Sequence, residues 1–538
     1  MRAAYLRAIA AVGALGALYV AIALPFVVLA LVIGGLLRGA ELFTSGEAVI
    51  VAEVVIALVA LSLELVGPRR LPSGISVGPG DQPRLWDLVR ETARDLDVPE
   101  PDGIVLTGGT AVGLRSVRRP GITLHRHLVF GCAVLDGLSE RQLRAVTAVA
   151  LGGLRRRRPP LPDRIALHGV DMVDGLADAA RGRGGLGDAA ERFAERYARV
   201  CAPVLSLQER VQDRFAAGTY GTEAVADGLD AMRRLRTAWG WYRRGYIDAG
   251  LACGCVPADP LGDFKALLAD PERIAALAEL PAGEPPHPLA VRAERLRARP
   301  LPAKVSPDGP LAASAPGLDD PRRVAAHLHP YLVVADTHGF ASVSAFHVLD
   351  GMTALDREAF LRQVNGYRAA YRAARLAPAA RRAGAEPPVT LGGVLALLVN
   401  GEGARLAREF DARPAAADAS APEAETARAT DDTDRTDDAS GTGPDSPVAA
   451  ALAALLACAW VDAGRARWKT TWSGRDEVTA HDGTPLDLAG PAARALATRD
   501  GARDLRAAIA DAGVSLYYEP RVPIFAAAKE RETAAGHR

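Results

Sequence analysis

The stretch Leu138–Arg158, LSERQLRAVTAVALGGLRRRR, is the segment around which the rest of the chain reads. It predicts a helix with a defined beginning. Ser139 can cap the amino end, and Gln142, three residues on, can reach back to close a capping box. Apolar or small residues follow at Leu143, Val146, Thr147, Ala150, Leu151 and Leu154. Arg155, Arg156, Arg157 and Arg158 end the run with the charge that suits a helix carboxyl terminus.

This frame resembles the active-site helix of membrane-anchored zinc metallopeptidases of the HtpX and CAAX prenyl protease type, which reads L-S-x-x-x-L-x-A-V-L-A-H-E-L-G-H. The resemblance implies two histidines at i and i+4 that bind zinc and a glutamate that activates water. Here Val149 and Gly153 stand at the histidine positions and Ala150 at the glutamate position, so neither a metal donor nor a base is present. Upstream, Trp86–Leu106 follows the family's W-x-L-V-x-E-x-A-x-x-L-x-V-P-x-P-D-x-I-x-L entry of a helix (Gln82–Val98) and a short strand (Gly103–Leu106). The loop after it, which in the family carries an Asn-Ala pair, reads Gly109-Thr110-Ala111-Val112. Downstream, the predicted helix Asp188–Ala217 contains Glu209–Ala217, matching E-x-E-A-D-R-x-A-A with Val211 at the third zinc ligand and Asp213 and Arg214 retained. Apart from the resemblance, Asp213 is expected to pair with an arginine inside the helix bundle. Trp239 to Tyr242, Phe264–Pro271 and the His287-Pro288-Leu289 turn before Arg292 continue the match. His287 is expected to fix that turn rather than to hold a metal.

Over Trp86–Arg297 the resemblance therefore implies a degenerate metallopeptidase. The expected function is a catalytically inactive, membrane-anchored pseudopeptidase. It would act as a binding or regulatory partner of a membrane protein, a peptide substrate or an active homologous peptidase, with no cofactor. Two alternatives stay open. One is an active zinc metalloendopeptidase with non-standard ligands among His125, His127 and His287. The other is a membrane scaffold that binds through its carboxy-terminal module.

Composition narrows the classes. In 538 residues the 64 basic and 64 acidic side chains cancel, which gives no reason to expect a nucleic-acid partner. Alanine-, arginine- and glycine-rich usage points to a GC-rich genome. The five cysteines form no zinc-ribbon or paired framework and fit a reducing compartment. Cys253-Gly254-Cys255 is the one close pair; the spacing suits a redox or metal-binding fragment, and an incidental pair is the preferred reading.

Between Arg7 and Arg38 no charged residue occurs, and Ala48–Val66 is a second apolar run. At about 1.5 Å per residue the first is long enough for a hydrocarbon core of about 30 Å. Two membrane spans are expected. Arg2 and Arg7 before them and Arg69 and Arg70 after them put both termini in the cytoplasm by the positive-inside rule. Cytoplasmic-membrane localisation and a lipid-bilayer partner follow from that expectation. Glu53 and Glu64, about three turns apart on one helix face, are expected at the headgroup boundaries.

Gly121–Leu135 reads as a strand that sets His125 and His127 on one face, where both are expected to meet solvent. His327, His329, His338 and His347 show no metal-ligand spacing. Leu391–Phe410 reads as one amphipathic helix, and Asp411–Pro447 lacks the large apolar residues that would offset the entropy of ordering. The chain's end reads as a helix (Ala450–Val461), two strands (Arg465–Ser473 and Glu477–His481), two helices and a final strand near Val514–Tyr518. Trp468 and Trp472 are expected to cover those helices. The fold class is mainly α, of the α+β kind. It comprises a two-span anchor (1–70), a metallopeptidase-like helical domain with a small sheet (71–300) and a helical extension (301–410). A disordered acidic linker (411–447), a small α+β module (448–520) and a tail (521–538) complete it.

Overall fold

Ser139 opens its helix by the reciprocal bonds that its spacing to Gln142 allows. The Gln142 amide donates to Ser139 Oγ at 3.3 Å, and the Ser139 amide donates to Gln142 Oε1 at 3.1 Å. The structure, a computed structural model, describes residues 10, 11, 13, 14, 71–118, 124–154, 169, 170, 173, 185–278, 287–306, 321–334, 349–412, 446–472 and 477–519. Two units divide the chain: 1–107 with 111–233 and 287–321, and 108–110 with 234–286 and 322–538.

The first unit is built on a sheet. Strand β1 (Gly74–Val77) leads to helix α1 (Pro83–Asp95), then to strands β2 (Gly103–Thr107), β3 (Val112–Arg118) and β4 (Leu124–Gly131). Helices α2 (Cys132–Gly137), α3 (Glu140–Leu151), α4 (Gly185–Tyr220) and α5 (Thr222–Tyr242, up to Arg233 in this unit) follow, and α9 (Pro288–Arg297) returns to it. The sheet order is β1-β2-β4-β3, with β2 parallel to β4 and the other two pairings antiparallel. Every residue of β2 is buried, as an interior strand requires. Helix α3 packs on β3, α1 and α4. Its Arg144, 6 % exposed, is held by Glu140 at 2.9 Å and by Glu91 of α1 at 3.0 Å.

The second unit is mainly helical. It contains α6 (Asp248–Ala252), β5 (Cys255–Pro257), α7 (Pro260–Leu268), α8 (Pro271–Ala278), α10 (Pro321–Val334, from Arg322), β6 (Thr353–Leu355) and α11 (Arg357–Ala374). Helices α12 (Leu376–Ala383), α13 (Leu391–Val399), α14 (Gly403–Asp411) and α15 (Pro447–Asp462) come next. Strands β7 (Arg467–Trp468), β8 (Val478–Thr479) and β9 (Pro485–Leu486) and helices α16 (Ala489–Ala497) and α17 (Arg499–Asp511) complete it. The alanine- and leucine-rich α15 lies in one apolar core with residues of α11 to α14, α16 and α17. A second, aromatic cluster joins Trp239, Tyr242, Tyr246, Phe264 and Trp472, so Trp472 packs on Tyr242 and Tyr246 rather than on the helices of the carboxy-terminal module, whose core Trp468 adjoins.

Several expectations need correction. No helix among the described residues is long and apolar enough to cross a membrane. The expected spans, with Glu53 and Glu64, lie outside the described residues except at positions 10, 11, 13 and 14. Of these, Ala11 is fully buried in a cluster with Val173, Ala194, Tyr197, Cys201 and Val204. The described residues therefore give no support to the two-span anchor, to the bilayer as partner or to the membrane localisation. The mostly helical α+β character, with some sheet, does hold.

Smaller corrections have local causes. The expected strand Gly121–Leu135 turns into α2 after Gly131, and α3 ends at Leu151 in a 3-10 turn, Gly152–Leu154. The four arginines and residues 413–445 of the expected linker lie outside the described residues. Leu391–Phe410 is two helices, broken where Gly401 takes a left-handed φ of 88°. Pro485 and Leu486 form β9 ahead of the two helices, and no strand forms near Val514–Tyr518. The cap at Ser139 is expected to be local in its effect. Ser139→Ala should cost about 1 kcal/mol, read as roughly fivefold faster hydrogen exchange in the first turn of α3. No change there would remove the cap's role.

Candidate functional site

Strand β3 is an edge of its sheet. Its register with β4 runs from Val112 opposite Phe130 to Arg118 opposite Leu124, and just beyond it the Gly131 amide donates to Ala111 O at 2.7 Å. In an antiparallel ladder only alternate residues exchange bonds with the partner strand. With Ala111 and Gly131 an exchanging pair, Gly113, Arg115 and Val117 also face β4. Val112, Leu114, Ser116 and Arg118 then turn their N–H and C=O groups away from the sheet. Among the described residues no strand meets them.

The end of α3 and the middle of α4 stand beside this edge. A Cβ placed on Gly153 would lie 3.6 Å from Leu114 Cδ2 and 3.3 Å from Gln212 Nε2, and one on Gly152 would lie 3.3 Å from Gln212 Cα. Two consecutive residues without side chains thus let α4 come close to α3 and leave room next to Leu114. Val211, the neighbour of Gln212, is 45 % exposed, unusual for a large apolar side chain in the described structure.

The sequence-selected positions fall as follows. Val149 is buried on α3, Ala150 is half-buried, and Gly153 is exposed in the 3-10 turn. Asp213 is 2 % exposed and makes a two-pronged bond to Arg292 of α9, at 2.6 Å to Nη2 and 3.0 Å to Nε. Glu209, one turn earlier, reaches the same guanidinium at 3.4 Å. Burial would lower the Arg292 pKa, but the bonds to Asp213 outweigh it and hold the guanidinium above its ordinary value. Arg214 is exposed. His287 accepts the Leu289 amide on Nδ1 at 3.1 Å and so caps α9, placing Arg292 one turn in. His125 and His127 have ring centroids 6.5 Å apart on β4, and His127 packs over Gly103, where a Cβ would collide with its ring.

Structure thus brings Gly153 and the Val211-Gln212 stretch to one place and puts Asp213 to structural use. Among the described residues, no three His, Cys, Asp or Glu side chains gather where they could hold a metal ion. The edge strand itself is what sequence reasoning missed. The one available signal was the alternation of Val112, Leu114 and Ser116 with Gly113, Arg115 and Val117, which is weak. Gln212 was likewise passed over.

No known family, no curated protein and no solved structure matches the chain. The resemblance to HtpX-type metallopeptidases is therefore not supported, and neither is the membrane-anchored pseudopeptidase or metalloendopeptidase that it implied.

Proposed function

We propose that the first unit is a peptide-binding module that takes an extended segment along the outer edge of β3. The observation that carries this reading is the row of outward N–H and C=O groups at Val112, Leu114, Ser116 and Arg118, implied by the Ala111–Gly131 pair. An added strand would bond to these groups whatever its sequence, and pockets for alternate side chains would supply selectivity. Leu114, the bare Gly153 and the exposed Val211 favour apolar residues at those alternate positions. The reading is one of binding and invokes no reaction.

Selection of displayed random peptides on the full chain, followed by hydrogen exchange with and without the selected peptide, tests it. Bound peptide should slow exchange at Val112, Leu114, Ser116 and Arg118, while the amides of Gly113, Arg115 and Val117 are already slow. Leu114→Pro removes one outward donor without touching a bond to β4, and should weaken binding by roughly fivefold to tenfold. Protection confined to another element, or unaltered affinity in Leu114→Pro, would refute strand addition at this edge.

A further inference from the structure

Helix α6 ends at Ala252 and strand β5 begins at Cys255, so Cys253 and Cys255 flank a single connecting glycine. Gly254 has a φ of 80°, a left-handed turn that a side chain would strain, and the turn folds the two thiols to the same side. Their sulfur atoms lie 3.5 Å apart. The backbone on both sides is fixed. The Cys253 amide bonds to Ala249 O and Gly250 O at 3.1 Å, and Gly254 O accepts the Thr353 amide at 3.1 Å, next to the pairing of Cys255 with Thr353 in the ladder with β6. Gly250 lets α6 lie against β5, since a Cβ there would meet Cys255 O at 2.8 Å.

The two thiols differ. Cys253 is half-buried and Cys255 is 3 % exposed. A hydrogen bond from the Cys255 thiol, with backbone amides adding to it, holds the Cys253 pKa below that of an ordinary thiol, against the effect of burial. The Cys255 thiol is pushed up by the same bond and by burial. The remaining cysteines, Cys132, Cys201 and Cys458, are buried. A disulfide between residues this close in sequence closes a very short loop and restrains the unfolded chain little, so it has little value as a structural staple.

We propose that Cys253 and Cys255 form a reversible thiol–disulfide site that exchanges with small-molecule disulfides, Cys253 attacking and Cys255 resolving. The Cys253 thiolate attacks one sulfur of the oxidant RSSR, forming a mixed disulfide and releasing one RS⁻. The Cys255 thiol then loses its proton and attacks Cys253 Sγ, releasing the second RS⁻. Two protein thiols are oxidised to one disulfide, and one RSSR is reduced to two RSH. The sulfurs need only close from 3.5 Å to the bonding distance of about 2.05 Å, which side-chain rotation supplies. This site lies in the second unit and does not depend on peptide binding by the first.

The test is to expose the reduced full chain to oxidised glutathione at neutral pH and follow intact mass and peptide maps. Wild type should lose two hydrogens, carry a Cys253–Cys255 link and release two equivalents of reduced glutathione. Cys255→Ser should stop at a glutathione adduct on Cys253, and Cys253→Ser should lose both the link and most of the adduct. Phenylarsine oxide, which bridges two adjacent thiols, should bind wild type one to one and neither variant, provided far-UV circular dichroism shows both folded. A persistent adduct on wild type, a link through another cysteine, or arsenical binding retained in a single-cysteine variant would overturn the proposal.

Discussion

Asp213→Ala is expected to destabilise the first unit by about 3–5 kcal/mol, because among the described residues it leaves the buried Arg292 guanidinium only the more distant Glu209 for a partner. For a unit of this size that corresponds to a fall of roughly 10 °C in the melting temperature. The charge pair itself need not be worth so much. Removing both partners in Asp213→Ala/Arg292→Met should therefore recover most of the loss, since a buried pair and an apolar replacement are often of similar stability. Calorimetry on the two variants separates the cases. A loss below about 1 kcal/mol in the single variant would mean that water reaches the guanidinium and that α9 is not held through Asp213.

Trp239→Ala is expected to destabilise the second unit by about 3–5 kcal/mol, by removing a fully buried indole from the aromatic cluster. The ring meets Phe264 edge-on at 4.9 Å and lies 5.7 Å from Tyr242. Its Nε1–H has no hydrogen-bond partner among the described residues. Trp239→Phe, which keeps an aromatic ring and deletes that donor, should therefore cost less than about 1.5 kcal/mol. Calorimetry again reads both. Equal losses in the two variants would show that the indole nitrogen, not the ring, does the work.

How far each feature could be foreseen depended on how local its cause is. The start of α3 was legible because its cap is made within four residues, Ser139 to Gln142. Its end was not, because it stops at glycines placed against Gln212 of another helix. The apolar stripe of Leu391–Phe410 was right, but the break at Gly401 was not seen, since a stripe of that period continues across a turn. A structural role for Asp213 could be argued from its place on a helix face. Its partner could not, because Arg292 lies 79 residues away. The metallopeptidase reading failed for a related reason: no family model, curated protein or solved structure stands behind its short motif frames.

By itself the sequence determined what neighbouring residues settle among themselves. That includes where α1 and α3 begin, the placing of Glu209 and Asp213 one turn apart, and the single glycine between Cys253 and Cys255. Only the tertiary structure decided that β3 is a strand with one side open, that Arg292 closes on both carboxylates, and that the two sulfurs approach to 3.5 Å. The physical reason is that each of these depends on non-local geometry. Strand pairing and ion pairing join segments distant in the chain, and the Cys253-Gly254-Cys255 turn is held in place by α6 on one side and the β6 ladder on the other.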